Sequence, residues 1–277
     1  MILMGCPVSA FADEIDPDFA VQLDLLRRLG IDLVDLRSAW GTNVLSLTEE
    51  QLNQIVQIAA ESGIGFECVG SPVNKVDLKP ENRESELANL ARSIEIARKI
   101  GVDKIRIFTP RVPPAEFESA WPELKAWMRE QVELAEQNGM TLLHENDADF
   151  YGAYPDNAQR LFSEFGGRRF RAAFDFANTV LLGFRPMQDW FNWITPHLET
   201  LHIKDAVQSG RRIVPAGEGD GQILEVFRWL HRQNWHGTLS MEPHLAAAGE
   251  RSGFSGADLF TVAVEALKET AGKVEQA

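Results

Sequence analysis

The chain has 277 residues, 44% of them hydrophobic, and a formal net charge of −14. That length is typical of an eight-fold strand–helix barrel, and the apolar content is ample for a real core. The acidity repels phosphate backbones and anionic bilayers, and no stretch has the ~20 apolar residues of a membrane span, so nucleic acid and membranes are not expected as partners.

The opening MILMGCPVSAFADEI lacks a basic start and turns acidic at Asp13. It reads as a first strand, not a secretion signal, and the cytoplasm is the expected compartment. The two cysteines, Cys6 and Cys68, lie in apolar strand-like runs and are expected as buried free thiols. Helical spacing follows at Phe19, Leu23, Leu26 and Leu29, then at Leu52, Ile55, Ile58 and Ala59. Helices end on a glycine followed by an apolar residue that opens a strand: Gly30-Ile31, Gly63-Ile64, Gly101-Val102 and Gly139-Met140.

Counting onward gives eight units. Strands are expected near residues 5–11, 31–37, 64–69, 103–109, 140–145, 171–175, 199–204 and 237–242. Helices are expected near 17–29, 48–62, 82–100, 114–138, 155–166, 186–195, 222–234 and 256–272, with the terminal ETAGKVEQA frayed. Strands separated by helices pair in parallel through right-handed crossovers. The expected fold is therefore α/β, a single (β/α)8 TIM barrel forming one domain over 1–277. An open doubly wound sheet is the competitor, but it would spread strand ends along an edge instead of around a mouth.

Four late strands each end on a metal-binding residue: LLHE at Glu145, AAFD at Asp175, ETLH at His202 and LSME at Glu242. In a parallel barrel all strands deliver their C-terminal ends to one rim, where active sites of such barrels sit. Two Glu, one Asp and one His there make an oxygen-rich, anionic pocket suited to a hard or borderline cation. Each residue also has a plainer reading. Glu145 and Asp175 could cap the segments that follow them, and His202 could be a core histidine. Glu242, closing a buried strand before Pro243, needs a cation or a hydrogen-bonding partner in any case.

In their contexts HEN, FDxxN, HIKD and EPH, these residues resemble the xylose-isomerase-like sugar isomerase/epimerase superfamily. That group includes ketose 3-epimerases, inosose dehydratases, hydroxypyruvate isomerases and endonuclease-IV-type enzymes. The resemblance covers essentially the whole chain, from SAFADEI to the last helix. It implies one divalent ion, Mn2+ in the first place with Mg2+, Co2+ or Zn2+ in relatives, held by Glu145, Asp175, His202 and Glu242. It also implies that Glu145 and Glu242 form the proton-transferring pair, and that the protein associates with copies of itself. The chemistry is coherent: a cation chelated by a carbonyl and its neighbouring hydroxyl stabilises an enediolate, while two carboxylates exchange the proton.

Further candidates lie close by. Asn178 and His244 are expected either to support the metal ligands from behind or to bind substrate hydroxyls, although many relatives carry His where Asn178 stands. Lys204 could neutralise a substrate oxyanion or face solvent, and Lys75 in SPVNK could reach over the mouth or be a turn lysine. Arg106, inside a strand, is a substrate-binding candidate but is expected first to pair with Glu67 or another barrel carboxylate. His144 should point away from Glu145 by strand alternation. The glycines of VPAGEGDG, residues 214–221, resemble a phosphate cradle, yet Glu218 and Asp220 would repel phosphate, which favours a non-phosphorylated sugar or cyclitol.

The expected function is isomerisation or epimerisation of a keto-sugar or related polyol. The alternative is a lyase on the same scaffold, dehydrating an inosose or β-eliminating from a 3-keto-glycoside. An endonuclease-IV-like enzyme needs more histidines than the six present and a basic surface. A non-catalytic binding module would not need both opposed carboxylates.

Overall fold

The alternation read from the sequence is what the chain forms. The barrel strands are β1 (Cys6–Ala10), β2 (Leu33–Leu36), β3 (Gly65–Val69), β4 (Lys104–Ile107), β5 (Thr141–Glu145), β6 (Phe170–Asp175), β7 (Leu198–Ile203) and β8 (Thr238–Met241). The helices are α1 (Phe19–Leu29), α2 (Glu49–Ser62), α3 (Pro80–Ile100), α4 (Phe117–Gln137), α5 (Pro155–Phe165), α6 (Phe176–Leu181), α7 (Ile223–Arg232) and α8 (Gly256–Glu275). The structure, a computed structural model, describes residues 1–167, 169–246 and 254–276. Strands β2 to β8 pair in parallel in chain order, and β8 then pairs with β1. Ser9 Oγ of β1 donates to Asp35 Oδ2 of β2 at 2.6 Å, so the two ends of the sheet meet and the barrel closes.

Local chemistry sets these boundaries. Asp18 caps α1 by accepting from the amides of Ala20 and Val21, and Thr48 with Gln51 forms a capping box on α2. Gly30 and Gly63 end those helices at φ of 77° and 69°, a left-handed conformation that suits glycine. Between helices and strands lies the main core, where Leu23, Leu26, Leu52 and Ile55 are fully buried as their spacing required.

The barrel interior is polar at its N-terminal end and closed. Lys104 Nζ reaches Glu67 at 2.6 Å and Glu199 at 3.2 Å, and Arg171 meets Glu199 at 3.4 Å. Above them Cys68, Leu143 and Ala173 form a small apolar plug, and Asp35 accepts from Ser9, Ser240 and Cys68. Both cysteines are free and buried, as expected. Protein side chains thus fill the floor of the barrel.

Two expectations need correction. The helix expected near 186–195 is instead a five-residue π turn, Pro186–Trp190, and the helix of this unit is α6, starting directly after β6. Trp190, Phe191 and Ile194 are buried there without helical continuity, because tertiary packing overrides the periodic pattern. Most of the segment expected to fray is helical: α8 runs to Glu275, with Ala271 and Val274 buried against the core, and Ala277 lies outside the described residues.

Candidate metal centre

Register places the four strand-end residues on three adjacent inward layers. His202 of β7 pairs with Asp175 of β6, so both side chains point the same way, into the mouth. Glu145 pairs with Ala173, one inward layer below Asp175, and Glu242 lies two residues beyond the Ser240 partner of His202. The two longer acids therefore reach from below and above towards the shorter Asp and His. One atom from each of Glu145, Asp175, His202 and Glu242 lies within 4.8 Å of the others, and all four residues are buried. His202 Nδ1 is 3.3 Å from both Glu145 Oε1 and Glu242 Oε2.

The donors fit a dication. Asp175 Oδ2, His202 Nδ1 and Glu242 Oε2 make no hydrogen bond of good geometry, although buried polar atoms nearly always do. Burial opposes charge on Glu145, yet His202 and Arg106 outweigh it and hold its pKa down to about 2. His202 works against burial too, pushed up to about 10 by Glu145 and Glu242. Burial raises Asp175 to about 6, with Lys204 opposing and the other carboxylates adding. Lys204, His202 and His244 hold Glu242 well below the usual carboxylate range despite its burial. Three acidic oxygens and one imidazole suit Mn2+ or Mg2+ better than a soft ion.

Asp175 is both a helix cap and a member of the cluster. Its Oδ1 caps α6 by accepting from Asn178 N at 2.8 Å, and its Oδ2 faces the cluster. Asn146 brackets it from β5, accepting from Asp175 N at 2.7 Å and donating to its carbonyl at 3.0 Å. Lys204 Nζ, buried, lies 2.7 Å from Asp175 Oδ2 and 3.7 Å from Glu242 Oε2, so it faces the cluster and not solvent. Asn178 is buried, its backbone amide on Asp175, and its Nδ2 has no hydrogen-bond partner among the described residues. Lys75 is not in the cluster: half-exposed at the rim, it pairs with Asp147 at 2.8 Å and lies 4.3 Å above the Phe108 ring.

Arg106 pairs with a barrel carboxylate, but that carboxylate is Glu145, at 2.9 Å; Glu67 belongs to Lys104. Its NH2 group donates to the carbonyls of Gly70 and Ser71, so protein acceptors take up those donors rather than a substrate. His144 faces outward onto Phe162 and Phe170, and burial pushes its pKa down to about 4.

Sequence reasoning passed over Glu14. It is fully buried, accepts from His244 N and Ser255 Oγ, and lies 3.2 Å from His244 Nε2. His244 Nε2 is also 3.5 Å from Glu242 Oε1. The available signal was the acidic pair Asp13-Glu14 directly behind the first strand.

The glycine-rich loop also departs from expectation. Three of its amides cradle a carboxylate of the protein itself: Gly217 N and Gly219 N donate to Asp205 Oδ2 and Gly221 N to Oδ1, with the neighbouring Ala206 N adding a second donor to Oδ1, at 2.8–3.0 Å. A Cβ at Gly219 or Gly221 would lie 2.4 or 2.5 Å from Asp205 Oδ1, so the tight wrap requires glycine. Asp205→Ala would strand these donors, and we expect a loss of about 3 kcal/mol or more in denaturant unfolding. A loss below ~1 kcal/mol would mean that water replaces the carboxylate without cost.

A family model described as xylose isomerase-like TIM barrel matches residues 23–268. No curated protein matches the chain. Similar solved structures include a D-tagatose 3-epimerase-like protein, 16% identical with a TM-score of 0.76 and 98% of each chain covered. Another is the probable 3-DHS dehydratase AsbF from Bacillus anthracis, 16% identical, TM-score 0.74, covering 94% of this chain and 98% of that one. A third, from Mycobacterium smegmatis, is a xylose isomerase-like TIM barrel protein in complex with magnesium, 17% identical, TM-score 0.72, covering 98% and 100%. At such identities the likeness establishes the fold alone. The family-model match extends over most of the chain and goes further: the chain belongs to the xylose isomerase-like TIM barrel family.

Proposed function

We propose that the protein is a divalent-metal-dependent isomerase or epimerase of a keto-sugar or related polyol. The observation that carries this reading is the convergence of Glu145, Asp175, His202 and Glu242 at the ends of four successive strands. These residues would hold one ion, Mn2+ in first place, which supplies Lewis-acid stabilisation of the charge that develops beside a carbonyl. Glu145 and Glu242 both stay ionised at neutral pH, so either can accept the proton from the carbon next to the carbonyl. Once protonated, the accepting carboxyl returns the proton to the neighbouring carbon in isomerisation. In epimerisation the other glutamate, which must first take up a proton from solvent, delivers it to the opposite face, while the first stays protonated until it exchanges with solvent. Lys204, buried and cationic, stands where it can offset charge on a substrate oxygen. Asn178 Nδ2 would gain its missing partner from a substrate hydroxyl, and Lys75 with Phe108 would cover the distal end of the ligand.

A second reading is supported by His244, which lies between Glu14 and Glu242. A proton passed from His244 to a β-hydroxyl would let it leave as water after the α-proton is lost, giving dehydration instead of epimerisation.

Chelator-stripped protein, reconstituted with single divalent ions and incubated with ketoses and inososes in D2O, tests both. Deuterium incorporation without loss of water supports the isomerase or epimerase, and an enone product supports the lyase. Full activity after complete removal of metal would exclude both.

A further inference from the structure

The three carboxylates of the cluster share one feature. Each has one oxygen in the cluster and the other held by a donor of the protein. Asp175 Oδ1 is held by the Asn178 amide at 2.8 Å. Glu145 Oε2 is held by Arg106 at 2.9 Å, while its Oε1 faces His202. Glu242 Oε1 is held by Arg37 at 2.8 Å, while its Oε2 faces His202. The arginines are themselves fixed. Arg37 Nε donates to Asp13 at 2.8 Å, and Arg106 donates to two backbone carbonyls. Their guanidinium carbons lie 4.9 and 5.1 Å from the ring of Phe11, whose edge also meets His202 at 5.2 Å. One phenyl ring, directly after β1, thus packs against both arginines and the imidazole.

A free carboxylate can chelate an ion through both oxygens, and each such switch consumes a position that water or substrate would otherwise take. Resting on the metal-site reading above, we infer that Arg37 and Arg106 are positioning residues that restrict Glu242 and Glu145 to one ligating oxygen each. They thereby keep positions on the ion open for a chelating substrate. Asp13 and Phe11 act at one remove, by holding the arginines. Neither arginine needs to touch the substrate.

The test uses Mn2+ alone as probe, with water-proton relaxation reporting how many exchanging waters the bound ion retains. Arg106→Gln removes the donor to Glu145 and a nearby positive charge, so Mn2+ should bind at least as tightly as to the wild type. Relaxivity per bound ion should fall, by roughly half if a second carboxylate oxygen replaces one of two waters. Arg106→Lys, which keeps a donor and a charge, should recover part of the loss. Arg37→Gln makes the same test on Glu242 at a more open position, and decides the matter if the buried variant does not fold. Folded variants that bind Mn2+ with unchanged relaxivity would overturn this inference alone. A wild-type chain that binds no Mn2+ would overturn the metal-site reading and this inference with it.

Discussion

Glu242→Gln is expected to lower kcat/KM by at least about 10³-fold, equivalent to ~4 kcal/mol of transition-state stabilisation, on whichever substrate the wild type turns over. The change exchanges an anionic ligand for a neutral amide and removes one of two proton acceptors together. The fold should not suffer. The cations around Glu242 each keep another carboxylate when its contact is lost: Arg37 retains Asp13 at 2.8 Å, Lys204 retains Asp175 at 2.7 Å, and His202 and His244 retain Glu145 and Glu14. Thermal unfolding of the variant should therefore match the wild type within a few degrees in chelator, while turnover collapses. Near-wild-type rates would remove Glu242 from the chemistry.

A second large effect concerns pH. Against burial, the Glu145 and Glu242 carboxylates push the His202 pKa up from 6.5 to about 10. For a group raised on folding, the stability it contributes is complete below the unfolded pKa and disappears as pH rises through the folded one. The melting temperature of the ion-free protein should thus fall between about pH 7 and pH 10, by at least ~5 °C. Asp175, raised from 3.8 to about 6, completes its titration below that window and does not mask the slope. Glu145 runs the other way: lowered from 4.5 to about 2, it contributes stability above pH ~4.5 that is lost as pH falls through 2. His202→Asn should abolish the slope between about pH 7 and pH 8.5, below the range where the buried thiols of Cys6 and Cys68, both pushed up by burial, add a decline of their own. A flat profile in the wild type would show that His202 is neutral among those carboxylates.

The barrel was legible because its strand and helix periods differ and glycine punctuates the joins, as at Gly30 and Gly63. The cluster was legible for a related reason: a parallel barrel turns position in sequence, the last residue of a strand, into position in space. What stayed hidden depends on side chains from separate strands. Nothing in KIRIF says whether Arg106 reaches Glu67 or Glu145, since both lie on neighbouring strands and the choice is set by inward layer. Asp205 was hidden in plain view. VPAGEGDG has the amide-rich character of an anion loop, but the anion it binds is a carboxylate 12 to 16 residues earlier in the same chain. α6 was missed because six residues carry too little periodicity, and because Asp175 serves as both cap and cluster member.

The most direct test of the central claim is a titration of Mn2+ into chelator-stripped protein near pH 8, by calorimetry in two buffers of different ionisation enthalpy. One ion per chain should bind with release of about one proton, because His202 must give up its proton to offer Nδ1. The Asp175→Asn/His202→Asn double variant should bind at least ~100-fold more weakly. An absence of binding in the wild type, or equal binding by the double variant, would contradict the account.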